Sequence, residues 1–220
     1  YEDIMGLIGS LYRSSVGKKS IMAASGLLLS IFLLIHLIGN SVTFLGREAF
    51  NAYAERLHSL GGLIYFFEIG LLALFLLHIF TGVILYLENL SARPSRYSVN
   101  TSEGGQSWGS RTMPYTGVII LVFIFVHLLN FHFTDKSVPI ADLVRNLLSR
   151  PGLAFFYIFS FVALALHLSH GFWSLFQSIG FNHEKYNELI LKGALVFSIL
   201  VGIIFILVPV LALVSRSFLL

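Results

Sequence analysis

Cysteine is absent from this chain of 220 residues. Without thiolates, the chain alone can form no disulfide, no cysteine-ligated zinc site and no iron–sulfur cluster. Any redox chemistry that the chain performs must therefore use other ligands.

Charged residues are also scarce. Only 11% of the residues are charged, while 56% are hydrophobic and the mean hydropathy is +0.85. A soluble domain usually has about 25% charged residues, whereas a surface that faces lipid needs none. The net charge of +3 is small, and the basic residues lie between apolar runs, as membrane-flanking anchors do. The composition predicts an integral membrane protein and excludes nucleic acid as a partner.

Five apolar segments are long enough to cross a bilayer, which takes about 20 helical residues. They span roughly residues 21–45, 63–87, 113–133, 153–179 and 189–214. The first twenty residues contain charges without a small-residue cleavage site, so we expect the first apolar run to stay in the membrane. The sequence predicts one all-α domain over residues 1–220, a bundle of five transmembrane helices, and no internal repeat.

The connections between these segments are polar. The stretches at 49–62 and 140–152 show apolar residues at helical spacing beside charges, which predicts short interfacial helices. With five spans the termini lie on opposite sides, and eight of the 14 Lys and Arg residues fall on the side of the N-terminus. The positive-inside rule therefore favours a cytoplasmic N-terminus.

Four of the eight histidines fall one per span in the first four apolar segments: His36, His78, His127 and His167. An ionisable group at membrane depth is costly, so each should face the bundle interior and have a partner. A structural hydrogen bond explains one such histidine taken alone. Four in one small chain indicate a common cause.

The depths of these histidines give that cause. Each residue of a helix advances about 1.5 Å, and consecutive spans run in opposite directions. His36 and His127 lie about 21–23 Å from one face, and His78 and His167 lie equally far from the other. The two levels are then roughly 12–15 Å apart in a core of about 30 Å.

Paired imidazoles at two levels predict two bound haems b. Neutral imidazole binds haem iron axially, and two imidazoles on facing helices suit electron transfer. We therefore pair His36 with His127 and His78 with His167. His170 lies one turn from His167 on the same face and is the alternative ligand. A solvated or interfacial role is the default for the histidines at helix ends and in the connections: His58, His132 and His183.

Small residues near the histidines are candidates for making room for a porphyrin. Their alternative role is close packing of transmembrane helices. They are Gly39, Ser41, Gly82, Gly117, Ser169 and Gly171.

The chain resembles the di-haem cytochrome b subunit of succinate:menaquinone oxidoreductases and quinol:fumarate reductases. The most specific likeness is HLSHGFWSLFQSIGF at 167–181, a histidine followed after three positions by glycine, an apolar residue and an aromatic. IHLIGN at 35–40, GREAFNAYAERLHSL at 46–60 and FEIGLLALFLLHIFTGV at 67–83 are also similar. The likeness extends from about Lys18 to the C-terminus.

The resemblance implies a role for each histidine. His78 and His167 would ligate the proximal haem, nearer a cytoplasmic iron–sulfur subunit, and His36 and His127 the distal haem. It implies a membrane anchor that passes electrons between menaquinone and the iron–sulfur subunit, which serves a flavoprotein with FAD acting on succinate or fumarate.

The resemblance also implies a quinone site near the distal haem, with a carboxylate at the start of the second span. Glu55, His58 and Glu68 are the candidates, and Glu55 is closest to the expected place. The alternative for Glu55 and His58 is a solvated connection. Glu68 lies inside an apolar span, where a carboxylate should have a partner or be held uncharged.

On the opposite face, one serine and several basic residues are candidates for contacts with haem propionates or the iron–sulfur subunit. Their alternative role is that of ordinary positive-inside anchors. They are Lys18, Lys19, Ser25, Arg93, Arg96 and Arg111.

Two other functions fit parts of this pattern. The first is that of the five-span di-haem subunit of membrane-bound nitrate reductase, but its ligands come in pairs from two helices, whereas here they come one per span from four spans. A small transporter would use the histidines as a proton relay. Such a transporter would lack the absorption band of a cytochrome b.

Overall fold

The computed structural model describes residues 12, 14–92, 108–135, 137–181, 183–215 and 218–219. Arg93 and Arg96, two of the predicted propionate or subunit contacts, lie outside the described residues. The described chain forms seven α-helices and one 3-10 helix, with no strand. They are α1 (Ser15–Ser41), the 3-10 helix Val42–Leu45, α2 (Arg47–His58), α3 (Gly62–Ser91), α4 (Trp108–Phe131), α5 (Ile140–Leu148), α6 (Pro151–Ser178) and α7 (Glu184–Val214).

Five of the described helices are long and apolar enough to cross a membrane. They are α1 with its 3-10 extension, α3, α4, α6 and α7. These are the five segments that the sequence predicts, so the all-α class and the number of spans are confirmed.

The helices begin earlier than the apolar runs. α1 starts six residues before the predicted span, where the Ser14 side chain accepts a hydrogen bond from the amide of Gly17 at 2.9 Å. α7 starts at Glu184, five residues early. An apolar run marks the part of a helix that lies in hydrocarbon, whereas backbone hydrogen bonding continues into the polar flanks.

Both predicted connecting helices are present, as α2 and α5. Arg47 of α2 forms a bidentate ion pair with Asp142 of α5, in which Nη2 of Arg47 lies 2.6 Å from Oδ2 of Asp142. Asn51 Oδ1 accepts a hydrogen bond from the amide of Ala141 at 3.0 Å, which satisfies one free donor at the start of α5. The two short helices are thereby fastened together at the end of the bundle opposite the N-terminus.

α6 is the central helix of the bundle. It packs closely against α1, α4 and α7, while α1 also packs against α3 and α7. In the described part of the chain, α1 and α4 are not a closely packed pair, and neither are α3 and α6. Within each of these two helix pairs, side chains bridge the space between the helices.

The tightest packing is between α6 and α7, and it depends on Gly202. A Cβ added at Gly202 would lie 3.0 Å from the Cβ of Ala165, closer than side chains normally pack. Small residues at such crossings let transmembrane helices approach.

We expect Gly202→Leu to destabilise the bundle by about 1–3 kcal/mol through overpacking. Gly193→Leu is the matched control. Gly193 lies on the same helix, and a Cβ added there would have no atom within 4 Å. Both variants gain the same helix propensity, so it cancels in the comparison. The measurement is thermal unfolding of the purified protein in detergent. Equal midpoints for the two variants would show that the crossing tolerates bulk.

Candidate functional site

The four span histidines meet as two facing ring pairs. His36 of α1 and His127 of α4 have ring centroids 5.9 Å apart, with an interplanar angle of 87°. His78 of α3 and His167 of α6 have centroids 6.5 Å apart, at 67°. We call His78 and His167 the N-side pair, since they lie nearer the start of α1, and His36 and His127 the far-side pair. The pairing by depth in the sequence is the pairing of rings in the structure.

The spacing of each pair fits one metal between the rings. Metal–imidazole bonds are about 2.0–2.1 Å and a ring centre lies about 1.1 Å behind its nitrogen, so two rings on opposite sides of one metal have centroids about 6.3 Å apart. The observed 5.9 and 6.5 Å bracket this value. Among the described residues no three His, Cys, Asp or Glu side chains gather as a metal site. A metal here would need its other ligands from a non-protein group.

The contacts of two glycines with the N-side histidines give the distance between the two ring pairs along the helix axes. A Cβ at Gly26 of α1 would lie 3.3 Å from Cε1 of His78, so Gly26 is at the N-side level, and His36 follows ten residues later. A Cβ at Gly117 of α4 would lie 3.8 Å from Cε1 of His167, and His127 also follows ten residues later. Ten helical residues advance about 15 Å. Both helices thus give a separation that agrees with the sequence prediction.

Each ring of the N-side pair has a hydroxyl partner at Nδ1. Ser25 Oγ lies 3.0 Å from His78 Nδ1, and Thr116 Oγ1 lies 3.2 Å from His167 Nδ1. Both hydroxyl residues are buried. The sequence places Ser25 among candidates for propionate or subunit contacts, whereas the structure gives it a histidine as partner. Thr116 was missed, because a threonine in an apolar helix normally satisfies itself on its own backbone.

Aromatic side chains surround the far-side pair. Phe123, Phe131 and Tyr157 lie with ring centroids 5.1–6.2 Å from that of His127. Nδ1 of His127 is buried and has no hydrogen-bond partner among the described residues. A buried nitrogen without a partner is costly. His127 is therefore held by aromatic packing, without a hydrogen bond at Nδ1 from the described residues.

The two ring pairs reveal an internal repeat, which corrects the prediction that there is none. The pattern M-x2-[ST]-G-x5-F-x3-H occurs at 22–36 in α1 and again at 113–127 in α4, and H-x3-G occurs at 78–82 and 167–171. Contacts repeat with it, since Phe32 lies 5.5 Å from His36 and Phe123 lies 5.5 Å from His127, centroid to centroid. The repeat is hard to recognise in the sequence, because few positions match and the residues between them are interchangeable apolar residues.

The small glycines predicted near the histidines fall into two groups, according to whether they face a histidine or another side chain. Gly117 faces His167, as described above. Gly39 faces Tyr53 of α2, whose hydroxyl a Cβ would overlap. Gly82 and Gly171 face the Met22 and Met113 methyl groups, with Cβ to Cε distances of 3.3 and 4.0 Å. Contacts with neighbouring side chains favour helix packing as the role of these last three glycines.

Glu68 has a partner at the far side of the bundle. Its Oε1 lies 3.5 Å from Nδ1 of His132, which follows the end of α4. Glu55 and His58 are exposed on α2, and within the described chain no hydrogen bond or ion pair joins either side chain to Glu68. The sequence predicts a solvated or interfacial role for His132, because a position at a helix end gives no sign of a carboxylate on another helix.

The remaining candidates lie near the N-terminal end. Lys18 is buried and forms an ion pair with Glu88 at the end of α3. Lys19 and Arg111 are exposed, as membrane-flanking anchors are. His170, the alternative ligand, lies with its ring centroid 5.7 Å from that of Trp173.

Comparison with known proteins gives the family. The chain is 31% identical over 148 residues to the protein named succinate dehydrogenase cytochrome b558 subunit of Bacillus subtilis (strain 168), an alignment that covers 66% of this chain and 69% of the relative. No family model matches the chain, and no solved structure matches it. This identity over about two thirds of both chains, with five apolar spanning helices, confirms the resemblance noted in the sequence. The chain is a multi-pass membrane protein and belongs to the succinate dehydrogenase cytochrome b558 subunit family.

Proposed function

We propose that this chain is the di-haem membrane anchor of a succinate dehydrogenase or fumarate reductase complex and transfers electrons between menaquinone and an iron–sulfur subunit. The observation that supports this most directly is the pair of facing imidazoles at each of two levels, drawn from four different helices. The name of the Bacillus subtilis relative supports the same complex.

The residues fit haem b as the bound group. Each pair offers two imidazole rings at the centroid spacing of a single metal, and a porphyrin would supply the other ligands. The helices that bear facing rings are not closely packed in the described chain, so the space between them is bridged by the rings themselves. A bound haem would supply one-electron transfer.

The chain's own residues hold, orient and isolate such a group. Ser25 and Thr116 fix the rings of the N-side pair. Phe123, Phe131 and Tyr157 exclude water from the far-side pair. Two stacked sites about 15 Å apart would provide a path along the membrane normal.

The orientation follows from charge and depth. Eight of the 14 basic residues lie on the side of the N-terminus, which favours that side as cytoplasmic. The N-side pair is then the proximal site, facing the iron–sulfur subunit and, beyond it, the flavoprotein with FAD.

The quinone site is proposed at the far side, around Glu68 and His132. Glu68 lies ten residues before His78 on α3, about 15 Å towards the far side, which is the level of the far-side pair. A carboxylate and an imidazole 3.5 Å apart can hold a proton between them and pass it to or from a quinone oxygen. Glu55 and His58 are the alternative candidates on α2.

The nitrate reductase type of di-haem subunit is the alternative function. Its ligands come in pairs from two helices, whereas the four facing rings here come from α1, α3, α4 and α6.

Replacing either ring of one pair should remove the same haem. We expect His78→Ala and His167→Ala to abolish one component of the cytochrome b spectrum, and His36→Ala and His127→Ala to abolish the other. His58→Ala is the control and should retain both, because His58 is exposed on α2. Low-temperature difference spectra of the assembled complex in membranes would resolve the components. Loss of the same component in His36→Ala as in His78→Ala would refute the pairing.

Glu68→Gln should slow succinate-dependent menaquinone reduction while leaving both haems in place. A proton-transferring group contributes about 10²–10⁴-fold to rate, so the loss should fall in that range. Electron delivery to a soluble acceptor that bypasses the quinone should be unchanged. Glu55→Gln is the matched carboxylate variant on α2. If Glu55→Gln, and not Glu68→Gln, lost quinone reduction, the site would lie at α2 instead.

A further inference from the structure

We infer that Ser25 and Thr116 are positioning residues for the N-side pair. Their hydroxyls accept hydrogen bonds from Nδ1–H of His78 and His167, leave Nε2 of each ring free to bind a metal, and would lower the midpoint potential of a haem bound there. The inference rests on the proposed function, in that it takes these two histidines as ligands.

The direction of the hydrogen bonds follows from the single proton of each hydroxyl. Ser25 Oγ lies 3.1 Å from the carbonyl oxygen of Met22 and donates to it. Thr116 Oγ1 has two backbone carbonyl acceptors, at 3.0 and 3.1 Å. With the proton given to a carbonyl, each hydroxyl meets the imidazole as an acceptor, and Nδ1 must be the donor. The remaining nitrogen, Nε2, then has the free lone pair that a metal requires.

Burial makes these hydrogen bonds strong positional constraints. Ser25 is 2% exposed and Thr116 is 3% exposed, so water does not compete for the hydroxyls. In a medium of low dielectric a hydrogen bond is stronger and an unmet donor is more costly than at a surface. Rotation of either ring would leave its Nδ1–H without an acceptor.

The same arrangement is built twice. Ser25–Gly26 on α1 stands against His78, and Thr116–Gly117 on α4 stands against His167. In each case the hydroxyl meets Nδ1 and the following glycine lets the helix backbone approach Cε1. The recurrence on two different helices argues against a chance contact of one serine.

The effect on potential follows from ligand basicity. A hydrogen bond donated by Nδ1–H makes the other nitrogen a stronger electron donor, which favours the more positive, oxidised metal. Two such bonds, one to each ring, would act on the N-side site. At the far-side site, Nδ1 of His127 has no hydrogen-bond partner among the described residues. The effect of the hydroxyls is therefore confined to one of the two sites.

The test is potentiometry of the two haem components in the assembled complex, with Ser25→Ala and Thr116→Val. Each variant should raise the midpoint potential of the component that His78→Ala abolishes. The expected change in the reduced-to-oxidised ratio at fixed potential is a few-fold to about tenfold per hydroxyl, and tenfold corresponds to about 59 mV for one electron. The double variant should shift the same component further than either single variant, because the two bonds act on separate rings.

Three controls make the result specific. Thr116→Ser keeps the hydroxyl and should keep the potential of the parent protein. Ser160→Ala removes a buried hydroxyl that donates to the Phe156 carbonyl at 2.8 Å, and should shift neither component. Gly26→Ala places a methyl group 3.3 Å from Cε1 of His78, closer than the 3.8 Å that Gly117→Ala gives at His167, and should perturb the haem spectrum more.

The outcomes separate this inference from the proposed function. An upward shift in the midpoint potential of the N-side component alone supports it. No shift in Ser25→Ala and Thr116→Val, a downward shift, or a change in the other component overturns it while leaving two ligated haems intact. Should Thr116→Val not assemble, unchanged potentials in Ser25→Ala alone would still overturn it. A parent complex whose His78→Ala and His167→Ala variants keep both haems would instead defeat the proposed ligands.

Discussion

Four imidazoles inside apolar helices are the constraint on which the rest of this structure depends. An ionisable ring at membrane depth is costly and needs a partner, and the bundle brings the four rings together in two facing pairs. The pairs lie between helices that are not closely packed, so they occupy the space that helix contacts leave open. The closest packing is instead between α6 and its neighbours α1, α4 and α7, while α3 packs against α1.

The two ends of the bundle differ in how they support these rings. On the N-side, buried hydroxyls of Ser25 and Thr116 fix the rings by hydrogen bonds. On the far side the rings lie among aromatic side chains, beneath an end fastened by the Arg47–Asp142 ion pair. Polar support at one level and apolar support at the other gives two sites of unlike environment in one repeated framework. Such a difference in environment would give two haems bound at these sites different potentials.

The spans and the ring pairs were predictable, because both follow from distances along a helix. About 20 apolar residues define a span, and antiparallel spans convert residue offsets into shared depths. The partners of Ser25 and Glu68 were not predictable, since each lies on another helix whose rotation about its own axis the sequence does not define. The repeat relating α1 to α4 was hidden for a similar reason. Its matching residues stand out only once Gly26 and Gly117 are seen against the two histidines.

The central claim, that each facing ring pair ligates one haem, is tested most directly by haem stoichiometry with ligand identification. Haem b would be measured per chain in the purified complex as the pyridine haemochrome, and axial ligands by near-infrared magnetic circular dichroism of the oxidised protein. The account predicts two haems b per chain, both with two imidazole ligands. One haem, none, or an axial ligand other than histidine would contradict it.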